Sequence, residues 1–129
     1  VGPRKRPFHT IIPGFLMKNG APEMSFGVMG GPMQAQGHVQ MTLRTQLWGQ
    51  DPQAAADAPR WRATNGLGVA VESTAGADVL AGLADLGHSV TSEEPESSFG
   101  FGGAQLIQRI EGGYIGGSDP RKDGCVIGF

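Results

Sequence analysis

The sequence predicts an α+β fold, and three patterns along the chain support this prediction. An apolar stretch, Thr10–Met17, is followed by the turn-forming pair Asn19–Gly20 and a second apolar stretch, Glu23–Met29, which is typical of a β-hairpin. Segments with helical spacing come next, and a second hairpin pattern surrounds Gly112–Gly113. Strand pairs combined with helices in this way suit a layered α+β arrangement.

Two helices are expected after the first hairpin. The stretch Gly31–Trp48 spaces its apolar residues three to four positions apart, so we expect a long helix there. Asp51 is a favourable N-cap and Pro52 suits the first helical position. A short, alanine-rich helix should therefore begin at this point and end before Pro59.

The second half of the chain predicts one more helix and several strands. Short strands are expected at Trp61–Thr64 and Gly68–Glu72. Gly76–Leu86 places four apolar side chains on one face, which predicts an amphipathic helix. The polar, acidic stretch Ser92–Ser98 is expected to be a loop, and Cys125–Phe129 a terminal strand.

Size and composition exclude several classes of protein. The 129 residues suffice for a single domain, 1–129, with one core. A net charge of -2 gives no electrostatic attraction to nucleic acid, and no stretch approaches the roughly 20 apolar residues of a membrane span. The single cysteine, Cys125, cannot form an internal disulfide and is expected to be a buried, inert thiol.

The most informative stretch runs from residue 26 to residue 40. An apolar run ends at Gly30–Gly31, Pro32 follows, and a polar helical segment begins, which predicts a strand, a glycine turn and a helix. Free backbone N–H groups at such a turn suit an anionic ligand or an oxyanion. A tight connection that needs glycine for steric reasons only remains the alternative.

Four blocks of the sequence, taken in order, resemble the small subunit of the gamma-glutamyltransferase family. They are Arg6–Pro13, Phe26–Gln40, Asp51–Arg60 and Gly116–Gly124. The resemblance covers nearly the whole chain and points to the C-terminal part of that subunit. It implies an N-terminal-nucleophile hydrolase fold, a four-layer αββα sandwich of which this chain would supply part.

The resemblance also implies roles for four residues. Gly30 and Gly31 align with the oxyanion-hole glycines of the family. His9 and Thr10 stand where the best-known members have paired serines that bind the α-carboxylate of the substrate. Because histidine is larger than serine, this departure leaves open whether the acyl group is γ-glutamyl or another group.

In the family the catalytic threonine is the first residue of the small subunit, whereas this chain begins with Val1 and its Thr10 is internal. We therefore expect the nucleophile on a missing N-terminal part of the small subunit, and no activity from this chain alone. The expected partners are that part, the large subunit and a small γ-glutamyl or acyl-amide substrate, with no cofactor or metal. Uncovered apolar faces should also make the isolated chain self-associate.

Three functions stay open on these grounds. The first is γ-glutamyl transfer or hydrolysis, the second is a related acylase of different specificity, and the third is a non-catalytic, self-associating module.

The other polar residues that could belong to a site are expected to have structural or solvent-exposed roles. Asp119 and Arg121 are expected to form an ion pair that braces the core, and His38 to lie at a surface or interface. Glu93, Glu94 and Glu96 are expected to be solvated charges rather than metal ligands.

Overall fold

The computed structural model describes residues 1–95 and 98–129. In chain order, its regular elements are β1 (Gly14–Lys18), β2 (Ala21–Met29), α1 (Met33–Thr42), α2 (Pro52–Asp57), β3 (Trp61–Ala63), β4 (Gly68–Glu72), α3 (Ala77–Asp85), β5 (Ser89–Glu93), β6 (Gly103–Ile110) and β7 (Gly113–Ser118). The predicted mixture of helices and sheets is confirmed.

The strands form a four-stranded sheet and a three-stranded sheet. The larger sheet is antiparallel throughout, in the order β1-β2-β6-β7, and both predicted hairpins belong to it. In the smaller sheet β4 lies between β3, which is antiparallel to it, and β5, which is parallel. The parallel pair is connected through α3, as parallel strands require a crossover.

One face of the larger sheet forms the core under α1 and α2. Side chains on this face alternate along β2, as expected for a strand with one buried side. The buried cluster consists of Met24, Phe26, Val28, Met41, Ala55, Ala56, Ala104 and Leu106.

Helix α1 approaches β2 closely because Gly37 has no side chain. A Cβ atom at this position would lie 2.5 Å from Cγ1 of Val28, too close for any real contact. The helix then continues into a π-helical segment, Leu43–Leu47, where the Thr45 hydroxyl donates to the Met41 carbonyl at 2.9 Å. The predicted helix Gly31–Trp48 therefore forms, but it begins two residues later and changes its hydrogen-bond pattern after Thr42.

A buried ion cluster joins the two sheets. Arg60 donates to the carboxylate of Asp119, and both side chains are fully buried. Arg121 contacts Asp119 at 3.2 Å and also donates to Glu72 of β4. The predicted pairing of Asp119 and Arg121 is confirmed, and Arg60 and Glu72 are further members that the sequence analysis missed.

The Asp119 carboxyl keeps its charge in this cluster. Burial alone would raise its pKa, but the N–H of Ala104, at 2.6 Å, and the Arg60 guanidinium outweigh burial and hold the pKa below its usual value. Since the carboxylate is paired and hydrogen-bonded, its burial is tolerated.

Four predictions from the sequence are wrong. The first strand begins at Gly14 rather than Thr10, because Pro13 has no N–H to give to a ladder. Cys125–Phe129 forms no strand, and Cys125 is exposed rather than buried. Ser92 and Glu93 belong to β5 rather than to a loop, and residues 96 and 97 of that predicted loop lie outside the described residues.

The second face of the larger sheet is mostly exposed, and residues 125–127 lie beside part of it. Phe15, Ser25, Ile107 and Gly116 occupy neighbouring positions across its four strands. Phe15 and Ile107 are exposed, and the C-terminal Val126 lies against Gly116 at one end of this row.

Helix α3 also forms as predicted, but none of its residues is buried. Within residues 1–95 and 98–129, no helix is both long and apolar enough to cross a membrane.

Candidate active site

The Gly30–Gly31 turn connects the end of β2 with the start of α1, as the sequence predicts. Both glycines have positive φ angles, 126° and 59°, which most residues with a Cβ atom rarely adopt. Their carbonyl oxygens accept from Met33 and Gln34 at 3.1 and 3.0 Å and so start the helix. In the described part of the chain, no acceptor is bound to the N–H of either glycine.

An open groove of about 490 Å³ lies beside this turn. One wall is the extended segment Thr10–Pro13, and the other is the end of β2 with Gly30 and Gly31. Gln34 and Gln105 supply polar atoms, while the remaining lining is mostly apolar. Among the lining residues that the structure describes, none has a charged side chain.

Gln34 fixes the first wall of the groove to the helix. Its side-chain Nε2 donates to the Thr10 carbonyl at 2.8 Å, and its Oε1 accepts from the Ile12 N–H at 3.0 Å. Because the carboxamide carries a donor and an acceptor side by side, it pairs with an extended backbone as a neighbouring strand would.

His38, one turn further along α1, supports the other wall. Its Nε2 accepts a hydrogen bond from the Val28 N–H at 3.1 Å, and its ring lies 5.0 Å from that of Phe26. Burial lowers the pKa of His38 below its usual value. A helix–strand contact inside the chain therefore explains this residue, whereas the sequence predicted a place at a surface or interface.

The predicted site residues are brought together only in part. Gly30, Gly31 and Thr10 line one groove. His9 lies next to Thr10 in an exposed segment and is not among the lining residues. Their roles in catalysis and binding remain predictions.

One of the three acidic residues, Glu93, has different surroundings from those predicted. Glu93 is partly buried and accepts two hydrogen bonds from Arg62 at 2.8 and 2.9 Å, so it is not a free, solvated charge. Glu96 lies outside the described residues. In the part of the chain that is described, no three histidine, cysteine, aspartate or glutamate side chains come together as a metal site.

Gln34 is a groove residue with two side-chain hydrogen bonds that the sequence analysis did not single out. It is one of several glutamines on a helix, and its role depends on a segment 24 residues earlier. The local spacing of residues does not predict such a contact. The one signal that could have indicated it is a polar residue three positions after a Gly-Gly pair.

Comparison with known proteins finds a match to one protein family over the whole chain. A family model described as gamma-glutamyltranspeptidase matches residues 1–129. The glutathione hydrolase-like YwrD proenzyme of Bacillus subtilis is 36% identical over 133 residues, which cover 98% of this chain and 25% of that protein. This chain thus spans about a quarter of the length of that curated relative.

Two solved structures have the same fold. The crystal structure of cephalosporin acylase from Bacillus halodurans matches with a TM-score of 0.86 and 48% identity, over 98% of this chain and 24% of that one. Gamma-glutamyltranspeptidase from Pseudomonas nitroreducens, complexed with L-DON, matches with a TM-score of 0.80 over 100% of this chain and 67% of that chain. The latter pair is 18% identical, so this match concerns the fold alone.

Proposed function

Because this chain belongs to the gamma-glutamyltranspeptidase family of N-terminal-nucleophile hydrolases, we propose that it forms the oxyanion-binding part of a longer amide hydrolase or acyltransferase. Its α+β fold is part of the αββα sandwich of these proteins. The proposed reaction breaks the amide bond of a small acyl-amide substrate and passes the acyl group to water or to an amine.

The proposed chemistry divides the work between this chain and the rest of the enzyme. An N-terminal threonine outside this chain attacks the amide carbonyl, while its own amine accepts the hydroxyl proton. The carbonyl oxygen becomes negative in the tetrahedral intermediate and accepts hydrogen bonds from the N–H groups of Gly30 and Gly31. Collapse of the intermediate releases the amine and leaves an ester, which water or a second amine then cleaves.

The observation that supports this role most strongly is that the Gly30 and Gly31 N–H groups have no hydrogen-bond acceptor in the described part of the chain. Neither has an acceptor among the described residues, both glycines line the groove, and their backbone is held by the start of α1. Donors that are fixed before the reaction stabilise a developing oxyanion without rearrangement. A turn that served only to connect β2 and α1 would not require a groove at this place.

A related acylase with a non-glutamyl substrate is the second candidate. The described lining of the groove has no charged side chain to meet an α-amino acid, and His9 and Thr10 replace the serine pair that the family resemblance leads us to expect. The 48% identity to a protein named as a cephalosporin acylase favours the same candidate. Both candidates use the same nucleophile and the same two glycines.

Replacing Gly31 by alanine in the full-length protein tests the shared mechanism. Alanine at a φ of 59° strains the turn, and we expect relief of that strain to move the Gly31 amide from its position. Loss of one oxyanion donor lowers kcat by about 100-fold or more. The control is Gly66→Ala, because Gly66 has a φ of 61°, equally free space around it, and no place in the groove.

Turnover is measured with γ-glutamyl p-nitroanilide and with an uncharged N-acyl p-nitroanilide. We expect Gly31→Ala to lose activity on whichever substrate the wild type accepts, and Gly66→Ala to retain it. Equal activity of the two variants would refute the oxyanion role. A wild type that cleaves neither these nor other amides would instead support the non-catalytic module.

A further inference from the structure

We propose that Gln34 is a positioning residue, which joins the Thr10–Pro13 segment to the Gly30–Gly31 turn and thereby sets the affinity for the acyl part of the substrate. The inference rests on the proposed function, since it assigns a role within the same groove. It concerns a residue that contacts the protein backbone on both sides of the groove rather than the reacting atoms.

Gln34 is bonded to both walls at once. Its backbone N–H donates to the Gly31 carbonyl at 3.0 Å, inside the turn itself. Its side chain bonds the Thr10 carbonyl at 2.8 Å and the Ile12 N–H at 3.0 Å. A shift of either wall relative to the other must therefore break or stretch one of these three hydrogen bonds.

The segment has little else to hold it. Residues 5–13 belong to no helix or strand, and Pro13 cannot donate a backbone hydrogen bond. Within residues 1–95 and 98–129, no other hydrogen bond ties residues 7–13 to the folded body. The place of Thr10 beside the turn thus depends on the Gln34 carboxamide.

The segment determines the shape of the groove. Thr10, Ile11, Ile12 and Pro13 form its first wall, and the glycine turn lies in the second. Binding of a substrate between the two walls costs less conformational entropy when both walls are already in place. Release of the segment should therefore weaken binding, while the amides of the turn, which α1 holds independently, remain in position.

Loss of the two side-chain hydrogen bonds should cost little stability. Both lie in exposed surroundings, so water can replace the glutamine at the Thr10 carbonyl and the Ile12 N–H. This separates the positioning role from a structural one, because a purely structural residue would change stability and leave KM alone.

The test is Gln34→Met in the full-length protein, since methionine has nearly the same length but cannot form either hydrogen bond. We expect KM to rise about tenfold for the p-nitroanilide that the wild type accepts, with kcat changed less than threefold. Hydrogen exchange resolved to single amides should also be faster at Ile12, whose N–H donates to the Gln34 side chain in the wild type. The control is Gln46→Met, because Gln46 is exposed on the following π-helical segment and does not line the groove.

The outcomes separate this inference from the proposed function. An active Gln34→Met variant with unchanged KM would overturn the inference, whether or not exchange of the Ile12 amide becomes faster. A variant in which both kcat and the melting temperature fall would overturn it as well, since the residue would then be structural. A wild type without any amide turnover would refute the proposed function, and with it the role of Gln34 in substrate affinity.

Discussion

The imidazole of His38 takes the place of a missing strand beside Val28. Strand β1 pairs with β2 only as far as Phe26, so the Val28 N–H has no strand partner on that side and donates instead to Nε2 of His38 at 3.1 Å. Nε2 can accept only when the ring is neutral and its proton lies on Nδ1. The end of β2, two residues before the glycine turn, is thereby linked to the protonation state of one histidine.

This contact predicts that the end of β2 loosens at mildly acidic pH. Burial lowers the pKa of His38 in the folded state, whereas in the unfolded chain it titrates near pH 6.5. The stabilisation is therefore complete above about pH 6.5 and is lost as the pH falls from there toward the lowered folded pKa. Hydrogen-exchange protection of residues 24–31 should decrease between pH 7.5 and pH 5.5, after correction for intrinsic rates.

Two variants decide whether His38 causes this change. His38→Gln keeps an acceptor that does not titrate, so its protection should vary less with pH than that of the wild type. His88→Gln removes the histidine between α3 and β5, whose Nδ1 lies 3.3 Å from the Leu67 carbonyl oxygen, and should behave like the wild type. The same pH dependence in all three proteins would exclude His38 as its origin.

Two helical glycines should respond to alanine in opposite ways. At Gly37 a new Cβ would lie 2.5 Å from Val28 Cγ1, so α1 must move away from β2, at a cost of roughly 1–3 kcal/mol. At Gly82 in α3 nothing lies within 4 Å, and alanine should stabilise the helix by about 0.5–1 kcal/mol. Urea unfolding followed by circular dichroism measures both. If Gly37→Ala also stabilised the protein, the close approach of α1 and β2 would be wrong.

Removal of one charge from the buried cluster should be far more harmful than removal of a surface charge. Asp119→Asn leaves the fully buried Arg60 without its counter-charge, which costs about 3–5 kcal/mol. Asp123→Asn, an exposed position in the same loop, should change stability by less than about 0.5 kcal/mol. The free energy of unfolding of each variant measures the difference, and equal values would argue against a buried cluster.

The open face of the larger sheet should make the isolated chain self-associate. Phe15 and Ile107 are 59% and 53% exposed there, and contiguous apolar surface favours association. Ile107→Lys should shift the chain toward the monomer in sedimentation velocity. Leu67→Lys, at an exposed apolar position outside this sheet, is the control. A wild-type chain that is monomeric at high concentration would contradict the prediction.

The substitution His9→Ser should move substrate preference toward γ-glutamyl donors. It restores the first residue of the serine pair that the family resemblance leads us to expect. The ratio of kcat/KM for γ-glutamyl p-nitroanilide to that for an uncharged N-acyl p-nitroanilide should rise severalfold. His88→Ser is the matched control, and an unchanged ratio would show that His9 does not set specificity.

Local signals in the sequence predicted the elements that depend on a few neighbouring residues. Asn19 and Gly20 have φ angles of 51° and 78° in the hairpin turn, as the Asn-Gly pair indicates. The Asp51 carboxylate accepts from the Ala54 N–H at 2.8 Å and begins α2, as expected of an N-cap. Both features are fixed by backbone preference and by hydrogen bonds within three residues, so the sequence alone determines them.

Tertiary structure decided the contacts between distant segments. Arg60 and Asp119 are 59 residues apart, and Gln34 and Thr10 are 24 apart. The apolar run Cys125–Phe129 has the composition of a strand but receives no ladder partner, so it stays irregular. The physical reason is the same in each case: whether a polar group finds a partner, or an apolar run finds a neighbouring strand, depends on which elements the folded chain places beside it.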